Sequence, residues 1–98
     1  MNFGQAVELM KMGACVQRQG WNGKNMFVYL GKYNIPKFQP VFVMYNAQGN
    51  FQAGWIPSQA DILAEDWVEV EVKDESAEDD IYNVTSIKVV GEDNGNAG

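Results

Sequence analysis

The first hydrophobic pattern along the chain predicts an N-terminal helix. Apolar residues recur at spacings of three and four positions, at Phe3, Ala6, Val7 and Met10. Residues at these spacings lie on one face of a helix. Asn2 can cap this helix, with Gln5 in the reciprocal position of a capping box. We expect the helix to end at Gly13.

The later apolar runs predict strands of a small antiparallel sheet. Residues 14–18 and 26–30 form two short runs, which the segment GWNG connects. Residues 41–45 and 51–56 flank the five-residue loop NAQGN, as in a hairpin. Valines alternate with charged residues over 67–72, which is typical of a strand with one solvated face. The fold class is therefore α+β, with the N-terminal helix packed on the sheet.

A short second helix should precede the strand near 67–72. Ser58 is a suitable N-cap, and Asp61 falls in the first turn, where exposed backbone N–H groups favour a carboxylate. Residues 1–73 then form a ligand-binding α+β region. Residues 74–98 begin with the acidic loop DESAEDD, could add a strand over 81–90, and end in a tail too polar to fold. We expect both parts to belong to one domain.

The composition excludes several classes of function. The formal net charge of −6 opposes binding of a nucleic-acid polymer, although a small anion needs only a local cationic cluster. The chain has no histidine, and its single cysteine, Cys15, lies in an apolar context and is interpreted as a core residue. We therefore expect no catalytic dyad or triad, no metal and no cofactor. The absence of a signal peptide or a membrane span predicts a soluble, cytosolic protein.

The segment RQGWNGK is the first candidate ligand site. It places Trp21 between two glycines, beside Asn22 and Gly23, with the positive charges of Arg18 and Lys24 at its ends. An aromatic face, free backbone N–H groups and a cation together suit a nucleotide, since a base can stack on the ring. The alternative is that Trp21 only covers the end of the sheet core.

The segment SQADILAED supplies the second candidate site. One carboxylate of Asp61 and Asp66 could reach the hydroxyl groups of a ligand while the other caps the helix or pairs with a cation. Helix capping is an equally good interpretation of Asp61. The two carboxylates do not form a convincing acid–base pair, because nothing else organises a reaction around them. Trp55 and Trp67 are assigned to the core or to an oligomer interface.

These two motifs together resemble a known family. GWNGK combined with S-Q-x-D-x-L-A-x-D-W is similar to the phage-encoded anti-defence proteins of the second Thoeris type, over residues 2–72. The resemblance implies a sponge that binds glycocyclic ADP-ribose, a bacterial immune messenger, without cleaving it. The effector NADase of the infected host then stays inactive. Some members can hold cyclic dinucleotides at a separate site.

The resemblance also implies an assembly and a set of ligand contacts. The family forms tetramers with ligand sites between protomers, in the cytoplasm of the infected bacterium. Trp21 and Asn22 match the first motif, together with Gly23, Lys24 and Arg18, and Asp61 and Asp66 match the second. Residues 32–50 cannot be aligned with the family and could contribute further contacts.

Two other functions compete with the sponge. One is a hydrolase of the same messenger, and the other is an inhibitor that binds a host protein through its acidic surface. If the sponge is correct, we expect Trp21→Ala to abolish ligand capture and leave the fold intact.

Overall fold

The α+β architecture is confirmed by a computed structural model, which describes residues 1–22, 25–74 and 84–91. Its elements in chain order are α1 (Phe3–Lys11), β1 (Cys15–Arg18), β2 (Phe27–Gly31), β3 (Val41–Tyr45), β4 (Phe51–Ala53), α2 (Gln59–Leu63), β5 (Trp67–Asp74) and β6 (Val84–Val89). The strands form one antiparallel sheet in the order β4-β3-β2-β1-β5-β6. Neither α1 nor α2 has the length and apolar content of a membrane-spanning helix.

Both helices begin where the sequence predicts. The Asn2 side chain accepts a hydrogen bond from the Gln5 amide at 2.8 Å, and the Gln5 side chain accepts one from the Asn2 amide at 2.9 Å. This pair is the predicted capping box. Gly13 follows the helix with a φ of 96°, a conformation that costs glycine little. Ser58 caps α2 in the same way.

β4 is shorter than predicted, and β6 lies within the segment predicted to form an extra strand. The run over 51–56 yields only β4, because Gly54 turns the chain with a φ of 86°. The amides of Gly54 and Trp55 then both donate to the carbonyl of Phe42, at 2.8 and 3.0 Å. The segment 81–90 contains β6, which pairs with β5. The rest of the predicted acidic loop beyond Asp74 and the C-terminal tail lie outside the described residues.

The core lies between α1 and one face of the sheet. Val16 pairs with Val28, and Val28 pairs with Met44, so all three side chains lie on the face that α1 covers. Its buried members are Ala6, Met10, Val16, Val28, Met44 and Trp67. Trp67 is fully buried, which confirms its assignment to the core. Its indole N–H donates to the Asp61 carbonyl at 2.9 Å and so ties α2 to the sheet.

The opposite face of the sheet carries an aromatic cluster, which we call the aromatic face. Its members are Phe27, Tyr29, Tyr45 and Phe51. The rings of Phe27 and Tyr45 stack with centroids 5.1 Å apart, and those of Tyr45 and Phe51 lie 4.9 Å apart. A groove of about 490 Å³ runs beside this cluster. The sheet therefore has two apolar faces, and both described helices pack on the first.

Cys15 is partly buried in β1. Burial, with a further contribution from the negative charge of Glu69, raises the pKa of its thiol to about 11. A thiol with this pKa is almost entirely protonated at neutral pH and is a poor nucleophile. This environment agrees with the interpretation of Cys15 as a packing residue.

Candidate functional site

Four of the predicted ligand-site residues meet where β1 ends and β5 begins. Arg18 closes β1 and stands opposite Trp67, the first residue of β5, in the sheet register. Asp66 therefore lies beside the turn that follows Arg18, and α2 brings Asp61 to the same place. The register of the sheet thus joins two motifs that lie more than forty positions apart in the sequence.

Arg18 links the two carboxylates. Its Nε donates to Oδ1 of Asp66 at 2.9 Å, and its Nη1 donates to Oδ1 of Asp61 at 3.1 Å. These charge-assisted bonds are stronger than neutral ones, and all three side chains are largely shielded from solvent. We call Arg18, Asp61 and Asp66 the Arg18 cluster. One guanidinium faces two carboxylates, so the Arg18 cluster keeps an excess of negative charge.

The backbone amides of residues 19 to 21 all donate hydrogen bonds within the protein. The Gln19 amide donates to the Asp66 carbonyl at 3.1 Å, and the Trp21 amide donates to the Arg18 carbonyl at 3.3 Å. The amide of Gly20 donates to Oδ2 of Asp66 at 2.8 Å. The expectation of free N–H groups is therefore wrong for these three residues, because Asp66 and the turn itself already use them.

Trp21 is packed against other aromatic rings. Its ring lies edge-on to Trp67 and Trp55, with centroids 5.3 and 6.3 Å away. Its indole N–H donates to Oδ1 of Asp61 at 3.1 Å. The ring is partly buried against the core and partly open to solvent. Trp21 therefore covers the end of the core, as the alternative interpretation holds, and part of its surface stays open to solvent.

Asp61 both caps α2 and joins the cluster. Its Oδ2 accepts from the Ser58 amide at 3.0 Å, and its own amide donates to Oγ of Ser58 at 3.1 Å. The capping interpretation is therefore confirmed. The same carboxylate also accepts from Arg18 and Trp21, so its position is fixed from three directions.

The two carboxylates are held ionised. The hydrogen bond from Arg18 is the main reason that the pKa of Asp66 is lowered, and the Gly20 amide adds to the effect. Burial acts to raise the pKa of Asp61, but the bonds from Ser58, Trp21 and Arg18 outweigh it and lower the value. Such carboxylates are poor proton donors near neutral pH. Among the described residues, no cluster of His, Cys, Asp and Glu could hold a metal ion.

Of the other predicted site residues, the structure describes Asn22 but not Gly23 or Lys24. Asn22 is exposed and follows Trp21 directly in the turn. Gly23 and Lys24 lie outside the described residues. Within the segment 32–50, Lys32 lines the groove beside the aromatic face and does not belong to the Arg18 cluster.

The sequence interpretation missed the roles of Gly20 and Ser58 in organising the site. A β-carbon at Gly20 would lie 2.8 Å from Oδ2 of Asp66, which is closer than real side chains approach. A glycine next to a turn tryptophan was the only signal for this close approach. Ser58 was recognised as a cap, but its amide also orients the Asp61 carboxylate.

Comparisons with known proteins show which family the sequence of this chain matches. A family model described as the Thoeris anti-defense 2-like domain matches residues 1–70, a range that contains every residue of the cluster. A protein named Thoeris anti-defense 2, from Bacillus phage SP01, is 43% identical over 82 residues. That alignment covers 68% of this chain and 91% of the phage protein.

Proposed function

The chain belongs to the Thoeris anti-defense 2-like family, and from this membership we propose that it is a phage sponge for a cyclic nucleotide immune messenger. The messenger we propose is glycocyclic ADP-ribose, held intact in the cytoplasm of the infected bacterium. Sequestration keeps its concentration below the level that activates the Thoeris effector. The protein then protects the phage without any chemical step.

The observation that supports this function best is the partly exposed ring of Trp21 in a rigid setting. Stacking of a base on an aromatic ring contributes about 1 to 3 kcal/mol. Trp21 is held by two neighbouring rings and by the hydrogen bond to Asp61. A ring that is already oriented loses little conformational freedom on binding, so more of the stacking energy becomes affinity.

The charge of the cluster indicates which part of the ligand lies there. Two carboxylates around a single guanidinium repel phosphate groups. The uncharged base therefore suits the ring of Trp21, and the diphosphate requires cations from elsewhere. Lys24 is the candidate nearest in sequence, and a second protomer is another source. We propose a homotetramer with ligand sites shared between protomers, because 98 residues offer a single chain little depth for a pocket.

The groove beside the aromatic face is our candidate for a second site, which would hold a cyclic dinucleotide. Its volume of about 490 Å³ lies within the usual range for small-molecule sites. Tyr29, Tyr33 and Phe51 line it together with Lys32. The Lys32 ammonium donates to the Lys11 carbonyl at 3.3 Å and would have to leave it to meet a phosphate. If the sites are separate, a saturating cyclic dinucleotide will leave the affinity for glycocyclic ADP-ribose unchanged, which competition calorimetry measures.

The sponge is tested by recovering the ligand. Protein is mixed with glycocyclic ADP-ribose, freed of unbound ligand and denatured by heat, and the filtrate is analysed by mass spectrometry and in an effector assay. We expect intact messenger that activates the effector as well as a protein-free control does. A dissociation constant of about 10 nM, or roughly −11 kcal/mol, would suffice for sequestration.

Two outcomes would contradict the proposal. Fragments in the filtrate, with an intact control, would show a hydrolase. An empty filtrate, together with capture of a host protein in the absence of nucleotide, would show an inhibitor that acts through protein binding.

A further inference from the structure

We infer that Asp66 is a positioning residue, which holds the turn that carries Trp21 and does not itself contact the ligand. The two oxygens of its carboxylate accept from different parts of the site. Oδ1 accepts from Nε of Arg18 at 2.9 Å, and Oδ2 accepts from the amide of Gly20 at 2.8 Å. One side chain thus fixes both the start of the turn and its middle.

The first connection acts through side chains. Arg18, held by Asp66, donates to the same oxygen of Asp61 that receives the indole N–H of Trp21. A continuous set of charge-assisted hydrogen bonds therefore runs from Asp66 to the edge of the Trp21 ring. Loss of the Asp66 charge weakens one of the two bonds that hold Arg18, and with it the constraint on that ring.

The second connection acts through the backbone. The Gly20 amide precedes Trp21 by one residue, so its bond to Asp66 fixes the direction in which the chain presents the ring. Gly20 permits this approach because it has no β-carbon, which would lie 2.8 Å from Oδ2 of Asp66. Each carboxylate oxygen of Asp66 already accepts a hydrogen bond from the protein. We therefore assign this carboxylate to holding the turn in place.

The positioning can be tested without any ligand. Hydrogen exchange of the Trp21 indole N–H, followed by NMR, reports whether the ring remains bonded to Asp61. We expect Asp66→Asn and Gly20→Ala each to speed this exchange at least about tenfold, in line with the loss of a charge-assisted bond. Glu8→Gln is the control, because Glu8 lies on α1 and pairs with the exposed Lys11. Unchanged exchange in Gly20→Ala and in a folded Asp66→Asn would overturn the inference.

The effect of Asp66 on ligand affinity rests on the proposed function. It is tested with a double-mutant cycle of Asp66 and Trp21. We expect Asp66→Asn to weaken the calorimetric affinity for glycocyclic ADP-ribose by about 10- to 100-fold in the wild-type background. In a Trp21→Ala background it should have almost no further effect, because it acts through that ring. A full loss in both backgrounds would show that Asp66 contacts the ligand directly, and would contradict a positioning role.

The two measurements fail independently. If the wild-type protein does not bind glycocyclic ADP-ribose, the proposed function is wrong, and the indole exchange still decides whether Asp66 positions Trp21. If binding is tight and exchange is unaffected by either substitution, the sponge stands and the positioning role is wrong.

Discussion

Trp21 serves the core and the surface with one side chain. Its edge-on contacts with Trp55 and Trp67 stabilise the end of the core, and its bond to Asp61 orients the ring. The expectation that its removal would leave the fold intact treated the turn as separate from the core. The contacts of the ring indicate that affinity and stability will change together.

For Trp21→Ala we expect a loss of about 2 kcal/mol in the free energy of unfolding, below the usual cost for a fully buried tryptophan. The affinity for glycocyclic ADP-ribose should fall about 100-fold through lost stacking. Urea denaturation and calorimetry measure the two effects. Trp21→Phe, which keeps a ring and loses the indole N–H, should lose less of both. Equal affinity in the alanine variant and the wild type would show that the ring is structural only.

The ionised carboxylates predict sensitivity to acid. The folded-state pKa values of Asp61 and Asp66 are lowered, so the stability they add is fully present above the unfolded-state value of about 3.9. It is lost as the pH falls through the folded-state values. The free energy of unfolding should therefore decrease as the pH is lowered below about 4, and less steeply in Asp66→Asn than in Glu8→Gln. Parallel pH profiles for these two variants would contradict this assignment.

The two helices have the same kind of N-terminal cap but different roles in the molecule. Both begin with a capping box, but α1 is nine residues long and packs on the core, whereas α2 has five residues and presents Asp61 to the cluster. An isolated helix of this length is unstable in water. The Ser58 cap and the bond from the Trp67 indole to the Asp61 carbonyl hold α2 in place.

Matched cap substitutions separate stability from ligand binding. Ser58→Ala and Asn2→Ala should each lower the free energy of unfolding by about 1 kcal/mol. Only Ser58→Ala should also weaken binding of glycocyclic ADP-ribose, because it removes the Oγ that accepts from the Asp61 amide and so loosens the residue whose carboxylate holds Trp21. Denaturation and calorimetry on both variants decide this, and an equal effect on affinity would argue against a role for α2 in the site.

Local patterns in the sequence were sufficient to locate the elements. The strand over 41–45 and both helix starts match the structure, because periodicity and capping depend on neighbouring residues. The end of β4 was missed, since Gly54 can continue a strand or turn it and only the bonds to Phe42 decide.

The sequence predicted individual residues of the site, but not the hydrogen bonds that join them. The pairing of Arg18 with both carboxylates depends on the register that sets it opposite Trp67. Periodicity shows which face of a strand is apolar, but it does not show which residues of two distant strands are paired.

The whole molecule has more apolar surface than one helical layer covers. α1 shields one face of the sheet, while large apolar side chains beside α2 and elsewhere stay exposed, including Ile56 at 82% and Leu63 at 77%. Apolar surface that is contiguous and exposed often marks a contact with another protein. The described exposed side chains are the apolar surface that the proposed assembly of several chains would bury.

We expect light scattering at micromolar concentration to give four times the monomer mass of 11.0 kDa. Addition of glycocyclic ADP-ribose should not dissociate the assembly, since ligands at shared sites stabilise the contact between protomers. A monomer at all concentrations, with or without ligand, would contradict sites shared between chains.

The Arg18 cluster limits how this protein can vary between phage lineages. Replacement of Arg18 alone removes the cation that pairs with both partly buried carboxylates, and an unbalanced charge in such a setting is destabilising. Viable descendants should therefore change Arg18 and its partners together, so that these positions covary even though they lie far apart in the gene. Exposed positions such as Asn22 and Leu63 carry no such constraint from this cluster. Adaptation to a new host messenger should accordingly proceed by substitution around the cluster, with the cluster itself inherited as a unit.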